Sequence, residues 1–140
     1  MARFKTEGID ELIDTLIRIG EGAGELADEM LMAGAEEVKI SWQYAAAYHG
    51  HKDTGDMIDA IGYARKPRTI SGIRQIDIYP QGKDRKGVRN AEKAFILHYG
   101  TSKKPGSHWV DTADDLSGPR VEAAMKKTHD NYLERKDANG

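Results

Sequence analysis

Ile9, Leu12, Ile13, Leu16 and Ile17 fall on one side of a 3.6-residue period, with Asp10, Glu11, Asp14 and Arg18 on the other. This predicts an amphipathic helix near the start of the chain. Gly20, Gly22 and Gly24 should stop or kink it, since each glycine costs about 1 kcal/mol against alanine inside a helix. No proline occurs from Glu25 to about Tyr48, where a second helix is expected. Ala27, Leu31, Gly34, Val38 and Ala45 form one apolar stripe on it, and Leu26, Met30, Ala33 and Tyr44 form another beside the first. So wide a face implies packing on two sides. The small residues Ala33, Gly34, Ala35, Ala45, Ala46 and Ala47 would admit the backbone of a sheet or of another subunit.

After a polar turn at His49 to Asp53, Thr54 or Asp53 is placed to cap a short helical turn running to Ile61. Gly62 to Lys66 reads as a short strand closed by Pro67. Ile73 to Tyr79 reads as a better one, with Ile76 and Ile78 on one face, Asp77 and Tyr79 on the other, and Pro80 ending it. Residues 81–93 combine five cations with glycines and no apolar period, which predicts a long mobile loop at the tip of a hairpin. Ala94 to Tyr99 is apolar on both alternating faces, as in a central strand covered on both sides, a brief buried helix being the alternative. A second loop at Gly100 to Ser107 precedes the apolar His108-Trp109-Val110. A last helix is expected from Ser117 or Gly118, with Pro119 in its first turn and Val121, Ala124, Met125, Thr128 and Tyr132 as its stripe. Without any βαβ alternation, this order predicts an α+β fold. N-terminal helices and a C-terminal helix would pack on a small antiparallel sheet bearing a long basic hairpin loop, in a single domain over 1–140 with residues 1–7 and 136–140 frayed.

Composition narrows the picture. The chain has 140 residues, of which Leu, Ile, Val and Phe supply 25, so one domain with a thin core is expected, and thin cores are often completed by a neighbouring subunit. Cysteine is absent, which excludes thiol catalysis, disulfides and cysteine-based zinc sites. No run of about 18 apolar residues and no signal-like segment is present, so a soluble chain made in the cytoplasm, with no membrane partner, is expected. The net charge of −2 conceals an uneven distribution. Basic and acidic residues number 5 and 13 in residues 1–64, 11 and 3 in 65–104, and 5 and 7 in 105–140. An acidic first half beside a basic middle concerns partners and solubility more than fold.

The chemistry-bearing side chains give no catalytic reading. His49 and His51 near Asp53 have the right atoms for a metal but sit around a glycine in a turn, and a solvated turn is the simpler reading. His98 and His108 read as core or interface hydrogen-bonding groups. Thr101, Ser102 and Ser107 lie near His98, His108 and Asp111, but no Gly-x-Ser-x-Gly elbow accompanies them. Gly100 to Ser107 resembles a phosphate loop until Pro105 follows the lysines where a helix should begin. Trp42 and Trp109 read as packing residues. No catalytic residue, cofactor or metal is therefore assigned. Lys83, Arg85, Lys86, Arg89, Lys103 and Lys104 remain as interaction candidates, either in assembly or against DNA phosphates without reading sequence.

Three segments carry a resemblance. Asp53-Thr54-Gly55-Asp56-Met57-Ile58-Asp59-Ala60-Ile61, Ala94-Phe95-Ile96-Leu97-His98-Tyr99-Gly100-Thr101-Ser102 and His108-Trp109-Val110-Asp111-Thr112-Ala113 follow an N-terminal helical region containing Gly8, Leu12 and Leu16. In this order they resemble a family of tailed-phage morphogenesis proteins acting at the head-tail junction, the neck, tail-completion or minor tail proteins of lambda-like siphophages and prophages. Thr54, Gly55, Tyr99, Gly100, Thr101, Trp109 and Val110 occupy the matching motif positions. Met57 and Ala60 stand where the family usually has Leu and Ser, and no proline precedes Thr54. The resemblance implies a non-enzymatic virion component, assembled in the host bacterial cytoplasm. It would form a homo-oligomeric ring that meets the connector or adaptor and the tail-tube or tail-terminator proteins. The charge asymmetry suits such a ring if Asp28, Glu29, Glu36 and Glu37 of one copy face the basic 81–93 loop of the next, or if that loop lines a DNA passage. A small DNA-binding accessory protein using the same loop is the alternative.

Overall fold

The computed structural model describes residues 23–139, and the expected helix at 9–17 lies outside the described residues. In chain order the elements are α1 (Ala23–Tyr48), α2 (Asp56–Asp59), β1 (Ile61–Gly62), β2 (Arg68–Ile70), β3 (Ile73–Gln75), β4 (Tyr79–Pro80), α3 (Asn90–Tyr99) and α4 (Trp109–Asn139). This is an α+β arrangement with two separate two-stranded antiparallel ladders, β1 with β4 and β2 with β3.

The frame is the antiparallel pair α1 and α4, which share the most extensive interface in the molecule. On α1 the first expected stripe is buried throughout, from Ala27 and Leu31 to Ala45. The second turns outward along its length. Leu26 and Met30 are buried, Ala33 is half-buried and Tyr44 is 60% exposed. On α4 the buried positions Trp109, Ala113, Ser117, Val121, Met125 and Tyr132 follow a continuous helical spacing. That stripe explains why the helix starts at Trp109 and not near Ser117. Pro119 lies inside the helix with its ring on the exposed side, where it removes one backbone donor but disturbs no core contact. Packing of one unbroken face outweighs the local cost. The helix continues through Asn139.

The region between the two long helices supplies the cap of the core. Met57, Ile61, Ile76 and Ile78 are all buried and join the α1–α4 cluster. Ile76 and Ile78 share the inward face as their alternation predicts, although the ladder there is broken into β3 and β4. β4 pairs with β1 in the register Ile61 to Pro80 and Gly62 to Tyr79, so the strand expected over 62–66 is shorter and begins one residue earlier. The sheet's true hairpin is β2–β3, closed by Ser71 and Gly72. Both have positive φ, as a two-residue turn matched to strand twist requires.

Two expectations fail here. Residues 94–99 form the second half of the helix α3, not a central strand. Asn90, Ala94 and His98 are buried at a spacing of four, whereas Phe95, Ile96 and Tyr99 are exposed. Six apolar residues cannot distinguish the two periods, and the helix formers Ala91, Glu92 and Lys93 preceding them extend the helical register. The basic 81–93 segment is likewise no open hairpin tip. It is a tight turn bridged from Lys83 to Arg89, followed directly by the first turn of α3.

The C-terminal part of α3 is clasped by the returning chain. Ser107 N–H donates to Leu97 O (2.9 Å) and His108 N–H to His98 O (3.1 Å), which forces residues 100–106 into close backbone contact. A Cβ on Gly106 would lie 2.7 Å from the Gly100 nitrogen, and one on Gly100 would lie 2.7 Å from Lys104 O. Overpacking against backbone that cannot yield should make Gly106→Ala cost at least about 2 kcal/mol, read as a lowered urea midpoint. Ser102→Ala, at an exposed position of the same turn, should stay within about 0.5 kcal/mol of the parent.

Candidate functional site

Of the motif residues, Trp109 is fully buried at the start of α4. Its indole Nε1 donates to Ala94 O (3.2 Å), and its ring meets Trp42 edge to face at a centroid distance of 5.3 Å. Both tryptophans are packing residues, as their place outside the basic run predicts. Thr54 Oγ1 accepts the Asp56 N–H (3.3 Å), but the N-cap of α2 is Gly55, in the left-handed region at φ 84°, instead of Thr54 or Asp53. Thr101 Oγ1 accepts the N–H groups of Lys103 and Lys104, each at 3.2 Å, and so shapes the turn that ends in the clasp. Val110 is half-buried beside the core, while Tyr99 is 61% exposed and packs on Phe95 at 4.7 Å.

The six basic candidates separate into different roles. Asp84 organises their turn. Its Oδ1 accepts the N–H groups of Lys86 and Val88, both at 2.9 Å, and its Oδ2 accepts from Lys93 Nζ at 2.8 Å. Hydrogen bonding from Lys93 first, then from the Val88 N–H, holds the Asp84 carboxyl below the usual carboxylate range. Arg85 faces Asp56, with Nε 2.9 Å from Oδ2 and Nη2 2.7 Å from Oδ1, and its backbone N–H also donates to Oδ2. That clamp keeps Asp56 well below the ordinary carboxylate range. Arg85 therefore ties the turn to α2 and is not free for a partner. Lys83, Lys86, Arg89, Lys103 and Lys104 are exposed and form no ion pair among the described residues. The turn carrying the first three stands at the N-terminal end of α3 and the turn carrying the last two at its C-terminal end. About 15 Å of helix lies between them.

The acidic surface expected to receive a neighbour's cations is engaged within the chain. Asp28 pairs with Arg74 (2.5 Å), Glu29 with Arg135 (2.8 Å) and Glu37 with Arg120 (3.0 Å), and Glu36 accepts from the Tyr63 hydroxyl (2.5 Å). Burial, then Glu36 itself, pushes the Tyr63 hydroxyl up to about 12. Segment totals concealed this because the partners lie 27 to 106 residues away in sequence.

Four of the five histidines gather around Trp109, a feature sequence order does not reveal. His49 Nε2 meets Thr112 Oγ1 at 2.8 Å, and the His49 and His51 rings stack at 6.1 Å. His51 Nε2 meets Ser107 Oγ at 2.7 Å, and that hydroxyl donates to Leu97 O at 3.0 Å. Because Ser107 has one proton and spends it on Leu97 O, His51 must be the donor in their contact. The pair is therefore the reverse of a serine activated by a base. On the other side of the clasp, His98 Nδ1 accepts the Val110 N–H (3.3 Å), satisfying one of the free donors at the start of α4. A cavity of about 230 Å³ adjoins it, lined by Trp42, Phe95, His98, Tyr99, Asp111 and Asp114 among others. Burial, then Asp111 and Asp115, pushes the Asp114 carboxyl up.

His51 provides a pH test of this arrangement. Burial, then the neighbouring His49, lowers its pKa below the ordinary 6.5, so the unfolded chain binds more protons than the folded one between 6.5 and that lower value. Its contribution to stability should be present above pH 6.5 and lost as pH falls through that window. Thermal unfolding of the parent from pH 8 to 5 should show this decline, and His51→Gln should flatten it. No protein-family model, curated protein or solved structure matches the chain, so its function has to be argued from this geometry and from its own motifs.

Proposed function

We propose that the chain is a structural subunit of a tailed-phage or prophage head-tail junction, joining copies of itself into a ring in neck or tail completion. The observation that carries this reading is the outer face of α3. Phe95, Ile96 and Tyr99 are 52%, 43% and 61% exposed, and uncompensated cations flank them at both ends of the helix. An apolar centre with a polar rim is the anatomy of a protein interface. This face lies within one of the motif segments that carry the resemblance; Trp109 supports α3 from the inner side, and Gly100 and Thr101 shape the turn that ends it. A ring built head to tail requires two unlike surfaces, and the α3 face supplies one. The connector or adaptor and the tail-tube or tail-terminator proteins are the further partners, with the virion and the host cytoplasm as its locations. Asp28, Glu29 and Glu37 on α1 are paired within the chain, so exposed α4 carboxylates such as Asp115 and Glu122 are added as candidates for the second surface.

The five free cations support a second reading, a DNA-binding accessory protein. The two readings separate by measurement. DNA-free light scattering and electron microscopy, with and without a connector or tail partner, should reveal assembly that Phe95→Ser plus Tyr99→Ser abolishes. Reversing Lys83, Lys86 and Arg89 to Glu should leave unfolding within about 0.5 kcal/mol per site and weaken assembly. Arg85→Glu should lower the thermal midpoint by breaking the clamp to Asp56. A monomer in every condition that binds DNA with steep salt dependence would favour the accessory reading and reject the ring.

A further inference from the structure

The clasp between α3 and the start of α4 does more than close the core. The backbone bond from His108 N–H to His98 O makes these two histidines neighbours although ten residues separate them, and their rings meet at 4.9 Å. One helical turn onward, Asp111 N–H donates to His108 O (3.0 Å), and the Asp111 carboxylate stands 3.7 Å from His108 Nδ1. Backbone hydrogen bonds thus link all three residues in series. One potential ligand atom from each lies within 4.8 Å of the others.

We propose that His98, His108 and Asp111 bind a Zn²⁺ ion at the α3–α4 joint. Imidazole and carboxylate are zinc ligands, and bonds of about 2.0 Å in a tetrahedron place ligand atoms about 3.3 Å apart. Closing from 4.8 Å requires movement of about 1.5 Å, which the exposed side chains of His108 and Asp111 can make while buried His98 stays in place. Binding through His98 Nδ1 would exchange the long Val110 N–H contact for a metal bond, and the cavity that His98 and Asp111 line adjoins the site and would admit a water as fourth ligand. Two groups of that cavity suit a metal-bound water. Trp42, 4% exposed, has an Nε1 with no hydrogen-bond partner among the described residues, and Asp114 provides an acceptor. The ion would brace the α3–α4 joint while keeping the water-bearing position of a three-ligand zinc site, in a chain that has no cysteine to close it.

The site stands apart from the ring reading and is tested without it. Isothermal titration of the full chain with Zn²⁺ should give one site per chain, raise the thermal midpoint and show no such response to Mg²⁺. Co²⁺ in its place should give the visible absorption of a four- or five-coordinate ion. His108→Ala and Asp111→Asn alter exposed groups and should keep the fold by circular dichroism, yet each should weaken Zn²⁺ binding at least tenfold. His129→Ala, on the far part of α4, should leave it unchanged. Absence of stoichiometric binding, or binding of equal strength in the His108→Ala plus Asp111→Asn double variant, would overturn the proposal.

Discussion

Two backbone hydrogen bonds, from Ser107 to Leu97 and from His108 to His98, determine where the C-terminal helix begins and what it can reach. They require a chain reversal so tight that Gly100 and Gly106 touch through their backbones, leaving no room for a Cβ on either. Once the reversal forms, Trp109 is delivered beneath α3 and against Trp42, and the first turn of α4 is brought to His49, His51 and His98. The Gly-Thr and Trp-Val segments are in this sense one structural device separated in sequence by a loop. Their folding role does not exclude a role in assembly. The same helix whose inner side is fastened by the clasp presents Phe95, Ile96 and Tyr99 on its outer side.

The distribution of charge follows a similar logic. A strongly acidic helix beside a basic middle segment suggests two complementary outer surfaces, but three of the α1 carboxylates are already paired inside the molecule. Arg74 from the β2–β3 hairpin and Arg120 and Arg135 from α4 pair with carboxylates along α1. Such half-exposed pairs contribute little stability individually, and their main effect is to fix which surface of α1 faces which neighbour. Lys83, Lys86, Arg89, Lys103 and Lys104, at the two ends of α3, are left without such pairing among the described residues.

Periodicity over long stretches was sufficient to identify α1 and its principal buried stripe, strand alternation gave the inward pairing of Ile76 with Ile78, and the place of both tryptophans outside the basic run gave their packing role. A 3.6-residue repeat sustained over many residues has only one way to bury its apolar face. The α+β class followed from the order of such segments. Where the sequence misled, the deciding energy was nonlocal. Pro119 reads as the start of a helix by local rules, yet the unbroken stripe from Trp109 to Tyr132 packs against α1 and carries the helix through it. Ala94 to Tyr99 is too short for its own period to be read, and its helical state is settled by burial of Ala94 and His98 beneath the clasp. Asp84 carried no signal in a segment that composition marked as a mobile loop, because its importance comes from the N–H groups and lysine it gathers in space. The histidines illustrate the limit most clearly. Sequence determined their number and their nearness to glycine, whereas only the backbone reversal could decide that His98, His108 and Asp111 share one corner, since side chains ten residues apart become neighbours through tertiary hydrogen bonding and not through spacing.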